Sequence, residues 1–467
     1  MEYSGTPFFY AHIRINTYLC PTIIERHKKM KPQLLISSVS SGSGKTLFTL
    51  GLLRALKERD MEVQSFKCGP DYTDPHYHTI ATGREVANLD RWMASKHHIQ
   101  SIYNQYAEDA DICITEGMMG LFDGYKRMQG SSAEIAKLLN IPVILVINAR
   151  SAAYSIAPLL YGFKNFRRDV RIIGVIFNQV ASLSHYNYLK DACKDAGIES
   201  LGYLPYSEKL RMPTRYQGFT LTVKQGINDL ITQVTEQINQ SVDIDKLLNL
   251  STRPFPCAYN LPYIQETPIE QIGIPRKKIA IARDAAFCFT YAENLNRLKE
   301  KGALTFFSPL YSKELPEADF IYLPGGYPEL FARQLHRNKK LMQQLHAYIE
   351  NGGKVFAECG GMAYLSRELI TARGTSYEMT GILPVTCTMA NARLHQGYRY
   401  IEYNGNILHG HEFHYSNIMN SDNLSPFLPQ YNSKGNKTET PLYRYKNLIA
   451  GYTHWYWGET DLMKLWE

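Results

Sequence analysis

Ser37-Ser38-Val39-Ser40-Ser41-Gly42-Ser43-Gly44-Lys45-Thr46 sets the architecture of the first half of the chain. It follows a short apolar run at 33–39 and opens a helical stretch at 46–59. A loop of small residues between strand and helix gathers main-chain N–H groups and the positive end of the helix dipole, which together hold phosphates. Gly42 and Gly44 let the backbone approach the oxygens, Lys45 can neutralise β- and γ-phosphates, and Thr46 offers its hydroxyl to Mg²⁺. Ser41, Gly42, Ser43, Gly44, Lys45 and Thr46 are therefore the candidate ATP-binding residues. The loop departs from the GxxxxGK[ST] pattern at Val39, where the first glycine would stand.

Outward from this loop, short runs rich in Val, Ile and Phe at 62–68, 111–115, 142–148 and 171–177 alternate with helical stretches such as 133–139. Near-continuous apolar runs suit strands covered on both faces. Their alternation with helices predicts a mainly parallel sheet with right-handed crossovers. The regularity fades over 246–276, where Arg253-Pro254-Phe255-Pro256 and Gly273-Ile274-Pro275 mark the expected linker. A second series runs through 278–282, 304–307, 320–323 and 354–357. The reading is α/β, with two domains over 32–245 and 277–467, each a mainly parallel sheet flanked by helices.

Two domains also suit the length, since 467 residues exceed what one core usually serves. The net charge of +7 fits anionic small substrates as well as nucleic acid and does not choose between them. With no other sign of either, neither a nucleic-acid nor a membrane partner is expected. No apolar run approaches the roughly 20 residues of a membrane span. Eight irregularly spaced cysteines do not form a disulfide framework, which suggests a reducing, cytoplasmic setting. Residues 1–31 lack a continuous apolar segment and are read as an extension of unassigned role.

Two acidic clusters follow predicted strands: Lys67-Cys68-Gly69-Pro70-Asp71-Tyr72-Thr73-Asp74-Pro75 and Glu116-Gly117-Met118-Met119-Gly120-Leu121-Phe122-Asp123-Gly124. Functional groups in open parallel sheets collect at the carboxyl ends of strands. Asp71 and Glu116 can therefore join Thr46 around Mg²⁺, which prefers hard oxygen ligands. Asp71, Tyr72, Thr73 and Asp123 are candidates for contacting the substrate, and whether Asp71 and Asp123 serve metal or substrate is open.

In the second half, Lys354-Val355-Phe356-Ala357-Glu358-Cys359-Gly360-Gly361-Met362 reads as strand, sharp turn and helix. A cysteine at such a turn projects outward, and the helix N-terminus favours its thiolate. Gly325-Gly326, after another strand, can present N–H groups to a tetrahedral oxyanion, and Gly360 adds a third. Candidates for the base are His409, His411, His414 and His454.

These motifs, with Asn88-Leu89-Asp90, Arg283-Asp284-Ala285-Ala286-Phe287-Cys288-Phe289 and Leu323-Pro324-Gly325-Gly326-Tyr327-Pro328-Glu329, closely resemble the cobyrinic acid a,c-diamide synthase family. The resemblance covers everything after residue 32. It implies a dethiobiotin-synthetase-like ATP-binding domain joined to a glutamine amidotransferase domain. It also implies amidation of the a- and c-acetate arms of cobyrinic acid through acyl phosphates, in cobalamin biosynthesis. ATP, Mg²⁺, L-glutamine and the tetrapyrrole would be the partners, and the protein a monomer or homodimer. Class I glutaminases carry their histidine near the C-terminus, so His454 becomes the expected base. Tyr456 stands where the usual third carboxylate would be, which leaves a Cys359–His454 dyad. Asn178 resembles the adenine-reading asparagine of related folds, and is equally placed to be a strand-end turn residue. The resemblance also admits cobyric acid synthesis or amidation of nickel-sirohydrochlorin. A partitioning-type ATPase shares the variant loop, but such a switch needs no Cys359.

Overall fold

The computed structural model describes residues 29–212, 222–257, 276–419 and 424–467. The first unit contains β1 (Lys29–Ser38), β2 (Val63–Cys68), β3 (Ala87–Leu89), β4 (Ile112–Glu116), β5 (Val143–Asn148), β6 (Ile172–Val180) and β7 (Glu199–Pro205). They lie in the order β3-β2-β4-β1-β5-β6-β7, with every pairing parallel. Side chains alternate between the faces of β1. Leu34 and Ile36 join the core under helices Lys45–Lys57, Thr73–Thr82 and Thr222–Ser241, whereas Leu35 joins the core under Lys96–Ala107 and Ser132–Leu139. Burial on both sides is why these strands read as unbroken apolar runs.

Two expected boundaries move. β8 (Thr252–Phe255) pairs antiparallel with the start of β1, and helix Ile244–Ser251 packs into the first unit's core. Residues 246–255, expected in the linker, thus complete the first sheet; the linker's 258–275 lie outside the described residues. At the other end, Lys29–Lys31 belong to β1 rather than to an extension. The Lys31 ammonium is buried and donates to the Ala107 and Ala110 carbonyls. Residues 1–28 also lie outside the described part.

The second unit begins with β9 (Lys277–Ala282), β10 (Gly302–Phe307), β11 (Phe320–Leu323) and β12 (Lys354–Glu358). Then come β13 (Ser366–Ile370), β14 (Ser376–Glu378), β15 (Leu383–Thr388), β16 (His395–Tyr403) and β17 (Asn406–His414). The last are β18 (Asn417–Met419), β19 (Tyr431–Asn432), β20 (Leu442–Tyr445), β21 (Leu448–Gly451) and β22 (Thr453–Tyr456). The expected mainly parallel sheet has the order β10-β9-β11-β12-β21-β20, with only β20 antiparallel.

Two further four-stranded sheets accompany it, β14-β13-β15-β18 and β19-β16-β17-β22, which the reading of strand and helix alternation did not separate. The signal was present in Asn404-Gly405. Both residues take positive φ, 46° and 71°, at the turn joining β16 to β17, as a two-residue hairpin requires.

Candidate active site

At the carboxyl end of the first sheet, Gly42 and Gly44 have φ of 78° and 96°. A side chain on Gly44 would collide with Asn178, whose amide Nδ2 donates to the Ser43 carbonyl from 3.1 Å. Asn178 therefore braces the loop from β6. Lys45 Nζ donates to Ser38 Oγ at 2.7 Å and the Met119 carbonyl at 2.5 Å. Each of these interactions joins the loop to a neighbouring strand end, so its shape is held by the sheet.

Beneath it lies a buried ionic cluster. Thr46 Oγ1 donates to Glu116 Oε1 at 2.6 Å, and Lys67 Nζ stands 2.9 Å from the same oxygen. Lys67 also pairs with Asp74 Oδ2 at 2.6 Å, and that oxygen lies 3.4 Å from Thr46 Oγ1. On the other side of Glu116, His78 Nε2 lies 2.7 Å from Oε2, while His78 Nδ1 meets Ser65 Oγ at 2.7 Å. Burial alone would raise the Glu116 pKa, but Lys67, followed by His78 and Thr46, holds it well below the carboxylate range. Burial likewise opposes the Lys67 charge, and Asp74 and Glu116 outweigh it, keeping the ammonium protonated.

Thr46 and Glu116, two of the three expected metal ligands, are thus brought together. The second carboxylate beside them is Asp74. Asp71 instead turns Oδ1 onto the N–H groups of Thr73 and Asp74, at 2.9 and 3.0 Å, at the start of helix Thr73–Thr82. Thr46 Oγ1, Glu116 Oε1 and Asp74 Oδ2 are hard oxygens of the kind Mg²⁺ takes, and the Lys67 ammonium lies on both carboxylate oxygens. Sequence reasoning quoted Lys67 and Asp74 without giving them a role and passed over His78. Their signal was the i, i+4 spacing of Asp74 and His78, which shares one helix face.

The remaining substrate candidates separate. Asp123 is exposed, and its Oδ2 accepts from the Gly120 N–H at 3.0 Å. Thr73 is buried at the helix start. Tyr72 packs at the edge of the first unit's core and reaches across to the second unit. Its ring stacks on Phe289 with centroids 4.9 Å apart and lies 4.8 Å from Tyr291 and 5.0 Å from His454. The candidate base of the second half therefore touches a residue of the first.

In the second half, Cys359 follows β12 with φ 46° and ψ −104°, a strained conformation for a residue with a Cβ. Its N–H donates to the Gly451 carbonyl at 2.7 Å. A Cβ on Gly361 would lie 2.1 Å from the Leu323 carbonyl oxygen, and one on Gly360 would lie 3.0 Å from the Gly326 nitrogen. These glycines let the six-residue helix Gly360–Leu365 close onto β11, with the Gly326 N–H beside the elbow. Gly325 acts differently, because a Cβ there would fall 2.1 Å from His454 Cε1, so the glycine makes room for the histidine ring.

Burial works against the expected easing of the thiol toward thiolate by the helix. Cys359 is 6% exposed, and burial pushes its pKa well above the usual value, with Glu329 adding to the rise and the Gly360 N–H opposing it. A six-residue helix has too weak a dipole to prevail over desolvation. His454 is fully buried, and neither ring nitrogen has a hydrogen-bond partner among the described residues. Burial, with His411 and His414 next, pushes its pKa down to about 3. The ring is therefore held in its neutral form. Cys359 Sγ lies 3.8 Å from the Phe413 carbonyl, the same peptide that acts on the His454 ring.

Among the other histidines, His411 is His454's cross-strand partner and His414 lines the recess at Cys359. His414 Nε2 lies 2.7 Å from Glu412 Oε1, and its ring stacks on Tyr452 at 3.6 Å. Glu412 also accepts from Thr440 and pairs with Arg399. Donor atoms of His395, Glu412 and His414 lie within 4.8 Å of one another. With Arg399 and Thr440 already on the carboxylate, this trio is an ion-pair network that braces β16 against β17. His409 faces Trp92 of the first unit, with ring centroids 4.9 Å apart.

Comparison with known proteins matches both halves. Residues 34–219 fit the CobQ/CobB/MinD/ParA nucleotide binding domain, and residues 278–462 fit the CobB/CobQ-like glutamine amidotransferase domain. The chain is 38% identical to the cobyrinate a,c-diamide synthase of Priestia megaterium, covering 92% of this chain and 95% of that one. It is 36% identical to the Saccharolobus solfataricus enzyme of the same name, covering 92% and 99%. It is 38% identical to the hydrogenobyrinate a,c-diamide synthase of Brucella abortus, covering 83% and 90%. No described helix is long and apolar enough to cross a membrane. With identity of this level sustained across both halves, the chain belongs to the cobyrinate a,c-diamide synthase family.

Proposed function

We propose that this chain uses ATP to amidate the a- and c-acetate carboxylates of cobyrinic acid, with ammonia taken from L-glutamine. Family membership makes it a glutamine-dependent amide-forming ligase with a nucleotide-binding half. The observation that carries the reading further is the contact between the halves: Tyr72, from the acidic cluster beside the phosphate loop, lies on the ring of His454. Neither a lone ATPase nor a lone glutaminase needs that seam.

A carboxylate resists ammonia because its leaving group would be oxide. Transfer of the ATP γ-phosphoryl group gives ADP and an acyl phosphate; ammonia displaces phosphate from it and leaves the amide. Lys45 and the N–H groups around Gly42–Gly44 would hold the transferring phosphates. Mg²⁺ held by Thr46, Glu116 and Asp74 would supply charge neutralisation at the phosphate oxygens. Lys67 and His78 keep Glu116 ionised and oriented as a ligand.

In the other half Cys359 attacks the glutamine amide and its proton passes to His454. The Gly326 and Gly360 N–H groups would face the oxyanion, ammonia leaves, and water releases glutamate from the thioester. An enclosed path between the two sites would keep ammonia unprotonated.

The test is mass spectrometry of products from cobyrinic acid, hydrogenobyrinic acid and nickel-sirohydrochlorin, each with ATP and glutamine. Two amides on cobyrinic acid support the proposal. Amidation of nickel-sirohydrochlorin alone moves the substrate, and ADP release indifferent to all three and to glutamine ends the ligase reading. Cys359→Ser should abolish glutamine use yet retain synthesis from ammonium chloride; equal loss of both contradicts the division of labour.

A further inference from the structure

The recess at Cys359 contains a charge that the chemistry above does not use. Glu329 lies on the single turn Pro328–Leu330, directly after Gly325-Gly326-Tyr327, and lines the recess with Cys359, Gly326 and Gly360. Glu329 is half-buried at the recess; desolvation there pushes its carboxyl up to about 7, and among the described residues only its own main-chain N–H relieves it. The fully buried carboxylates Glu116 and Glu412 are satisfied from several sides, the first by Lys67, His78 and Thr46 and the second by Arg399, His414 and Thr440. A desolvated carboxylate without a counter-ion is costly unless a cation arrives with the ligand.

From this position we infer that Glu329 receives the α-ammonium group of L-glutamine and thereby selects an α-amino acid over a simple amide. The inference rests on Cys359 being the glutaminase nucleophile and adds the residue that recognises the substrate's far end. It accounts for the placement: the elbow N–H groups face the amide end of a ligand, and the Glu329 carboxylate faces the same recess with no cation among the described residues to neutralise it. It also links binding to activation. The Glu329 charge is the largest influence after burial that disfavours the Cys359 thiolate, so pairing it with an ammonium would remove that opposition at the moment the amide is seated.

The experiment compares hydrolysis of L-glutamine with that of glutaramate, the same amide without the α-amino group, in the full-length wild-type protein, Glu329→Gln and Glu329→Asp. Wild type should prefer glutamine in kcat/KM by roughly 10- to 100-fold, the scale of one charge-assisted hydrogen bond in a dry pocket. Glu329→Gln should bring the ratio close to one, mainly through KM for glutamine, and Glu329→Asp should restore part of it. Iodoacetamide labelling of Cys359, which needs no ammonium, should persist in both variants and reports an intact elbow. Equal loss with both amides through kcat would make Glu329 a proton donor to the leaving ammonia and overturn the inference. Wild type that hydrolyses the two amides alike also overturns it, while leaving the Cys359 glutaminase standing. Wild type that hydrolyses neither overturns both.

Discussion

Lys67 and Glu358 are both buried ionisable groups on strands that end at a candidate site, yet the protein treats their charges in opposite ways. Around Lys67, two carboxylates pair with the ammonium and the Thr46 hydroxyl reaches both, so the opposite charges sustain each other. Around Glu358, only Tyr322 and the Trp455 N–H donate among the described residues, and burial pushes the carboxyl up to about 8. The same holds for its neighbours: the Cys359 thiol is pushed up and the His454 ring pushed down to about 3. The synthetase site is thus a lattice of paired ions, whereas the thiol, the imidazole and the Glu358 carboxyl at the glutaminase elbow are held toward their neutral forms. The difference suits the ligands. A nucleotide with its metal brings several charges that need a fixed counterpart, whereas cleaving a neutral amide needs a neutral base and a nucleophile that ionises only when used.

The sharpest way to break the contrast is to remove the lattice's cation. Lys67→Met would leave Asp74 and Glu116 facing each other in the core and should lower stability by about 3–5 kcal/mol, read by urea denaturation. Adding Glu116→Gln should recover part of that loss, because the two side chains act as one unit. Full additivity would mean that the lattice is not coupled.

A smaller effect should follow in the glutaminase half. Gly325→Ala would place a methyl group against His454 and should slow glutamine hydrolysis by about 100-fold, roughly 2.7 kcal/mol of barrier. ADP formation driven by ammonium chloride should not change. Loss of both would show that the substitution disturbs more than the histidine.

A pH-dependent effect, smallest at low pH, concerns Glu358. Its folded pKa of about 8 lies above the ordinary 4.5, so the unfolded chain gives up this proton first as pH rises. Ionisation therefore subtracts stability progressively between pH 4.5 and 8 and adds no further penalty above that. Glu358→Gln should change stability by less than about 1 kcal/mol at pH 5 and grow relatively more stable toward pH 8, measured as the difference in Tm across that range. A constant difference would mean that Glu358 is ionised throughout and the pocket wetter than described.

Much of this protein follows from local pattern. The strand–loop–helix around Gly44, the elbow at Cys359 and the apolar runs of β1, β4, β5 and β12 depend on residues adjacent in the chain, so their spacing in the sequence announces them. The short strand β3 escaped because three residues carry almost no periodicity, and β7 because Gly202 and two register shifts against β6 blur its pattern. The hairpin β16–β17 was legible in its Asn-Gly turn and was overlooked. What sequence could not supply is which distant groups share a cavity. Asp74 stands beside Thr46 and Asp71 turns away because of the path of one helix, and Tyr72 lies on His454, far along the chain, because two sheets pack together. The identity of the groups is written locally, but their protonation and partners depend on burial and long-range contact, and those exist only once the chain has folded.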